Sequence, residues 1–348
     1  MAGGGGTRFW PLSRKERPKQ FLNLTGKDIL VNETIDRLNG VVEQKDIFIV
    51  TNVSQAGLTL AETGGRIAED HILAEPAARN TAACIGYAAM EIIKKYGDGI
   101  MCVLPSDAYI KKEEVYQSTI RTAIETAEKT DGLVTIGITP TFPSTGYGYI
   151  KRKKTQDASS YPVEEFVEKP DRETAEQYLA DGNYLWNSGM FIWKASTILK
   201  KFERLLPDIY ECLVKIGEAM GTDEEKKVIE EIYPVIPKIS VDYGIMERSE
   251  DVWVVEGDFG WDDVGSYDAL EALYTPDEAG NLRYGDCVLS DTRNCICYAK
   301  DKLIATIGVE DLIVVATEDA VLVCPKSRAQ DVKKVTEELE KAEKTEYL

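Results

Sequence analysis

Histidine is almost missing from this sequence: His71 stands alone among 348 residues. A Ser-His-Asp triad would have to use it, as would any histidine-rich metal centre. It begins the strand-like run HILAE and reads as a structural or surface residue, which leaves catalysis to carboxylates, lysine, arginine and a hard metal. Long apolar runs are missing too. None approaches the roughly 20 residues of a membrane span, so no membrane partner is expected. The start is glycine-rich rather than apolar, and no secretory signal is visible. Positive charge is in deficit, with 41 Lys and Arg against 60 Asp and Glu and a net charge of −19. A broad basic surface for nucleic acid is therefore excluded. The seven cysteines (Cys84, Cys102, Cys212, Cys287, Cys295, Cys297 and Cys324) are odd in number and scattered through apolar runs. They read as buried thiols of a reducing compartment, and a cytoplasmic location follows. Cys295 and Cys297 would share one face of a strand, a weak signal for zinc.

Against that background the opening MAGGGGTRFWPLSRKERPKQF stands out. Four glycines, Gly3 to Gly6, precede Thr7 and Arg8, and the first twenty residues hold five basic side chains against one acid, Glu16. A glycine run lets backbone N–H groups close on an anion, and basic residues behind it neutralise phosphate charge. Strand-like and helix-like segments then alternate. Strands are expected over 47–51, 72–75, 100–104 and 133–138, with helices over 54–69, 80–96 and 113–129 between them. This βαβα order implies a largely parallel sheet covered by helices, with ligands beyond the carboxyl ends of its strands. After Pro143 the pattern loosens. Strands are expected over 147–152, 163–168, 190–193 and 252–256, with mostly helix over 203–233. From about Asn281 short apolar runs recur between Asp, Asn, Lys and Gly turns, the texture of a small β-solenoid, and 328–344 reads as a charged surface helix. No strand precedes Gly3, although a phosphate loop normally hangs from one.

The opening motif resembles the signature of the sugar-1-phosphate nucleotidylyltransferases, and its WPLSR and PKQF pieces resemble the mannose-1-phosphate guanylyltransferase branch. AEPAARNTAA, LPSDA, TGYGYI, VEKP, NSGMFIW, SVDYGIME and FGWDDVGS follow in the order of that family, covering almost the whole chain. The resemblance implies an α/β fold: a mostly parallel Rossmann-like sheet of the nucleotide-diphospho-sugar transferase kind over residues 1–278, with a small β-helical domain and terminal helix over 279–348. It implies transfer of GMP from GTP to mannose 1-phosphate, giving GDP-mannose and pyrophosphate, with Mg²⁺ as cofactor and a homodimer as the assembly.

In that chemistry a sugar-phosphate oxygen attacks the α-phosphorus of the nucleotide and pyrophosphate leaves in line. The protein must hold two repelling anions together and stabilise charge on the leaving group. The resemblance gives Gly3, Gly4, Gly5, Gly6 and Thr7 to the nucleotide phosphates, and Arg8 and Lys19 to the departing pyrophosphate. It gives the metal to Asp107 and Asp263, and Ser106 to the nucleotide. It places Glu75, Arg79, Asn80 and Thr81 near the base and ribose, though Asn80 and Thr81 also suit helix capping. Gly146, Tyr147, Glu168, Lys169 and Asn187 go to the sugar phosphate, with a surface ion pair as the other reading of Glu168 and Lys169. Asp242 joins them or caps a helix. Arg14, Lys15 and Arg17 are phosphate contacts or ordinary surface charge. Asp262, where the family usually has Ser, is a surface acid or an auxiliary metal ligand, and the surface acid is favoured. Ala108 stands where the family commonly has His, and reduced or retuned activity rather than none is expected. Two other functions stay open: a pyrophosphorylase for dTTP or UTP with glucose 1-phosphate, and a non-catalytic subunit that senses nucleotide sugars. The chain length implies no phosphomannose isomerase activity.

Overall fold

The computed structural model describes residues 1–153 and 158–348. The chain divides into two compact units. One comprises Met1–Gly3, Arg37–Pro105 and Ile110–Trp261; the other comprises Gly4–Asp36, Ser106–Tyr109 and Asp262–Leu348.

The first unit is α/β. β1 (Ile49–Asn52) and β2 (Ile72–Glu75) pair in parallel. Six more strands follow: β3 (Ile100–Val103), β4 (Leu133–Ile138), β5 (Tyr149–Arg152), β6 (Tyr161–Val167), β7 (Tyr184–Lys194) and β8 (Val252–Gly257). They form one sheet in the order β3-β7-β4-β8-β6-β5. Every residue of β4, LVTIGI, is buried, the unbroken apolar run of a strand covered on both faces. Helices Asn80–Tyr96 and Glu113–Thr130 lie where the alternation placed them. Glu113 and Glu114 favour the second helix's N-terminus, and Asp131 ends it in the left-handed conformation.

The pairing inside the α/β class is mixed. Parallel pairs are β1–β2 and β4–β8, while β7 runs antiparallel between β3 and β4. β7 spans eleven residues, of which only 190–193 read as a strand, because Asn187-Ser188-Gly189 interrupts its apolar pattern. The helix expected over 54–69 stops at Glu62, ahead of Gly64 and Gly65 with φ of 59° and 82°. The helical stretch expected over 203–233 is three helices, Ala195–Leu205, Pro207–Ala219 and Glu225–Ile232. Pro207 starts the second of them, at the first helical turn where its missing N–H costs nothing.

The residues before the glycine run bond as a strand would. Ala2 N–H donates to Val50 O at 2.8 Å, Thr51 Oγ1 donates to Ala2 O at 2.9 Å, and the Met1 nitrogen donates to Leu104 O at 2.9 Å. Gly3 thus leaves a backbone tied to β1 and to the residue after β3. His71 is buried, stacked on Phe48 at 4.1 Å between ring centroids, with Nδ1 3.2 Å from Ile47 O. It is a structural residue.

The second unit carries the solenoid. Its strands are β9 (Leu282–Tyr284), β10 (Cys287–Ser290), β11 (Ile296–Ala299), β12 (Ile304–Ile307), β13 (Leu312–Ala316) and β14 (Val321–Pro325). β9, β11 and β13 stack in parallel with Leu282, Ile296 and Ile313 in register. β10 and β12 form a second parallel pair, and β14 closes the first sheet antiparallel. Cys295 and Cys297 share one apolar cluster with Val314 and Ala316, and all seven thiols are free. The other face packs Ile296, Ile313 and Val315 against Phe9, Leu24, Leu30 and Tyr267. The charged helix is Lys333–Lys341. Among the described residues no helix is long and apolar enough to cross a membrane.

Candidate active site

In the second unit the glycine run turns at Gly6, whose φ is 60°. A Cβ there would lie 2.5 Å from Lys19 Cβ and 2.8 Å from Lys19 N, so backbone sign and space both demand glycine. Ser13 Oγ donates to Gly6 O at 2.6 Å, and Tyr267 Oη donates to Phe9 O at 2.8 Å. The loop is held from behind while Gly4, Gly5, Thr7 and Arg8 stay exposed.

Lys19 is the centre of this set. It is only 6% exposed, and its ammonium donates to Asp107 Oδ2 at 3.0 Å and to the backbone O of Asp263 at 2.5 Å. The fold therefore brings together three residues far apart in sequence: a buried cation, a half-exposed carboxylate and the turn that carries a second one. Asp263 precedes Val264, a buried β-branched residue with φ of 46°. Strain of this kind costs on the order of 1–3 kcal/mol and persists where surrounding structure imposes it. Asp262 is half-buried and accepts from Val264 N–H at 2.7 Å, so it shapes this turn and is not the plain surface acid expected. Burial pushes its carboxyl up to about 6, Val264 N–H and Lys19 oppose, and Asp263 adds. Ser106 and Ala108 are buried. Arg14 pairs with Asp319 at 2.7 Å and Lys15 with Glu340 at 2.6 Å, which makes them structural and surface charges.

The first unit carries the acids assigned to base and sugar. Glu75 ends β2, buried, with Oε1 accepting from the hydroxyl of Tyr233. Burial raises its pKa and the Tyr233 bond lowers it. Neither Asn80 nor Thr81 serves as the helix cap. Arg79 is the N-cap residue, with no side-chain cap bond. Asn80, with φ of 66°, accepts from the adjoining Thr81 N–H at 2.8 Å, and Thr81 Oγ1 accepts from Val241 N–H at 2.9 Å. The Nε of Arg79 is buried without a partner among the described residues, an orphan donor of the kind a ligand satisfies.

At the sugar motifs, Lys169 Nζ lies 2.9 Å from Glu168 Oε1, and Lys169 itself holds φ of 31°. Asn187 Nδ2 donates to Asp242 Oδ1 at 2.9 Å and its Oδ1 accepts from Gly189 N–H at 3.0 Å. Helix Val241–Gly244 is capped by Ser240, so Asp242 is not the cap. Burial raises its carboxyl pKa, Asn187 lowers it, and Glu168 raises it further. Gly146 N–H donates to Ser144 Oγ at 3.2 Å. Tyr147 packs edge-on against Trp186 and Trp261 at 5.0 and 5.2 Å. Sequence reasoning passed over Gly148. A Cβ there would lie 2.9 Å from Glu168 Oε2, so the second glycine of TGYGYI makes the room Glu168 occupies. Tyr233 was also missed, as it belongs to no motif.

For a metal, the described residues hold no group of three or more His, Cys, Asp or Glu placed to bind one. Asp107 and Asp263 offer oxygen donors only. That fits Mg²⁺, which is bound through one or two carboxylates and completed by substrate phosphates and water.

In the second unit a glycine loop is backed by a buried lysine and two aspartates, groups suited to phosphate. The nucleotidyl transferase family profile matches residues 1–279, and that of the MannoseP isomerase/GMP-like beta-helix domain matches 285–339. The mannose-1-phosphate guanylyltransferase of Klebsiella pneumoniae is 42% identical over 353 residues, covering 100% of this chain and 74% of its own length. The crystal structure of a mannose-1-phosphate geranyltransferase from Thermus thermophilus is 38% identical with a TM-score of 0.89, covering 98% of both chains. That of a mannose-6-phosphate isomerase from Helicobacter pylori is 27% identical with a TM-score of 0.61, covering 72% of this chain and 96% of its own. The chain belongs to the nucleotidyl transferase family, among its mannose-1-phosphate guanylyltransferases.

Proposed function

We propose that this protein transfers GMP from GTP to mannose 1-phosphate, forming GDP-mannose and releasing pyrophosphate. One observation supports it above the rest: the buried Lys19 ammonium holds the Asp107 carboxylate and the Asp263 turn together. Such a set has no structural purpose that an apolar core would not serve as well, whereas incoming phosphates give it one. The exposed backbone of Gly4 and Gly5, with Thr7 and Arg8, receives the triphosphate. Lys19 and Arg8 stabilise charge as it develops on the leaving pyrophosphate. Glu75, Arg79, Asn80 and Thr81 take the base and ribose. Glu168, Asn187 and Asp242 accept from hexose hydroxyls over Gly146 and Tyr147, and Lys169 meets the sugar phosphate. No protein nucleophile is needed, since the sugar-phosphate oxygen attacks in line. Mg²⁺, held by Asp107 and Asp263 near Ser106, supplies charge neutralisation on the phosphates when bound.

The solenoid supports a homodimer. Val288 and Ile307 on the β10–β12 pair expose 57% and 77% of their surfaces, and Val321 and Val323 on β14 expose 58% and 59%, apolar area that a second copy would cover. The free thiols support the cytoplasm. Along the sequence we assign residues 1–278 to transfer and 279–348 to the β-helical part, a division that differs from the two compact units, since Gly4–Asp36 and Ser106–Tyr109 pack with the solenoid. The decisive assay is pyrophosphate release with GTP, mannose 1-phosphate and magnesium. Turnover expected with that pair must exceed turnover with UTP or dTTP and glucose 1-phosphate. A reversed preference, or tight GDP-mannose binding without turnover, refutes the proposal, and the same preparation run with mannose 6-phosphate tests the isomerase reaction.

A further inference from the structure

Glu75 has two carboxylate oxygens in different circumstances. Oε1 accepts from the Tyr233 hydroxyl. Oε2 lies 3.6 Å from where a Cβ on Gly3 would stand, so it faces the start of the glycine run. Tyr233 is fully buried and its ring meets Tyr87 edge-on at 5.8 Å. Its hydroxyl gives up water to make one bond, to a carboxylate 158 positions away in sequence. Fixing a buried carboxylate in this way costs stability, since burial disfavours the charge. A site built to bond substrate N–H groups justifies that cost, because it rejects analogues lacking them.

We infer that Tyr233 sets base selectivity by holding Glu75 so that its second oxygen accepts from the adjacent N1–H and 2-amino donors of guanine. This rests on the guanine-nucleotide reading of the site. Tyr233 touches no substrate; it is a positioning residue. Guanine presents two neighbouring donors on that edge. Hypoxanthine lacks the amino group, and adenine presents an acceptor at N1. A carboxylate, acceptor-only when ionised, suits the first best.

The test is equilibrium binding of GTP, ITP and ATP to the full chain, with KM and kcat for GTP alongside. Wild type is expected to bind GTP more tightly than ITP, and ITP more tightly than ATP. Tyr233→Phe keeps the ring and its contact with Tyr87. It should weaken GTP binding roughly ten- to a hundredfold, the scale of one hydrogen bond to a charged group. The loss should fall in KM for GTP, spare KM for mannose 1-phosphate, and shrink the GTP-to-ITP ratio. A purely structural role would lower the melting temperature without moving that ratio. Glu75→Gln must shrink the ratio as well. If it does and Tyr233→Phe does not, the positioning inference is overturned and the guanine reading survives. If wild type shows no preference for GTP, both fall. Should Tyr233→Phe not fold, Glu75→Asp replaces it: drawing the carboxylate back from Tyr233 must shrink the same ratio, and an unchanged ratio overturns the inference.

Discussion

The side chains proposed for ligand binding differ in electrostatic state between the two units, apart from the Lys169–Glu168 pair of the first. In the second unit the charges are already matched. Lys19 sits on Asp107 and on the carbonyl of Asp263, and glycine is imposed at Gly6 by Lys19 itself. In the first unit buried Glu75 and half-buried Asp242 have neutral hydrogen-bond donors, Tyr233 and Asn187. Glu75 and Asp242 both have raised pKa values through burial, and the Nε of Arg79 has no partner among the described residues. Under the proposed function the difference follows from what each set would bind. Phosphates arrive as strong charge, and a preset cation costs no reorganisation when they do. Bases and hexoses arrive as neutral donors, and only a desolvated acceptor held in place tells one from another.

The comparison breaks most visibly at Lys19. Lys19→Met should lower kcat about 10²–10³-fold, the scale for losing one preorganised charge stabiliser. Lys19→Arg should not rescue it, because a planar guanidinium cannot replace the compact ammonium that reaches both Asp107 and Asp263. Steady-state rates at saturating substrate decide this. Rescue by arginine would show that charge alone matters at that position. Next in size is Gly6→Ala. The left-handed conformation alone costs roughly 1–2 kcal/mol, and the 2.5 Å approach to Lys19 adds to it. The variant should melt lower and lose activity, whereas Gly4→Ala, with nothing within 4 Å of its Cβ, should melt like the parent.

Much of both sets was legible in the sequence because motif residues fall at element ends. Asp107 follows β3, Glu75 ends β2, and Glu168 and Lys169 follow β6. What escaped reading was long-range or conformational. Tyr233 meets Glu75 across 158 residues, and no local pattern signals a hydroxyl aimed at a carboxylate. Val264 holds a positive φ that its side chain would argue against. The full length of β7 was hidden because Asn187-Ser188-Gly189 breaks the alternation that marks a strand. Capping by Asn80, one of its two readings, does not occur, because its φ of 66° puts it outside ordinary capping geometry. The strand-like bonding of Met1 and Ala2 was illegible for a simpler reason: two residues show no periodicity.

Within the first unit, Gly148→Ala should act through Glu168. The added methyl, 2.9 Å from Oε2, must displace the carboxylate or shift β5's approach to it. KM for mannose 1-phosphate should rise about tenfold, within the range that misplacing a binding group produces. KM for GTP should hold. Equal changes in both constants would mean that sugar and nucleotide residues of this unit do not act separately.

The smallest effect concerns Asp242. Its carboxyl pKa is raised chiefly by burial, with the Asn187 bond opposing and Glu168 adding. A carboxyl whose folded value exceeds its unfolded one binds more protons in the native state. Its contribution to stability is therefore most favourable below the ordinary carboxylate range and declines as pH rises through the folded value. Asp242→Asn keeps an oxygen to accept from Asn187 and removes the charge. The variant should melt about 2 °C above the parent near neutral pH, what roughly 1 kcal/mol gives in a domain of a few hundred residues. The gap should close as pH falls toward the ordinary range of an aspartate. It should also bind mannose 1-phosphate more weakly, since the retained oxygen is the one already spent on Asn187. A stabilised variant with weaker sugar binding would show that the first unit gives up stability to keep an acceptor ready. A variant that is neither stabilised nor weakened would place Asp242 outside the contrast between the two units.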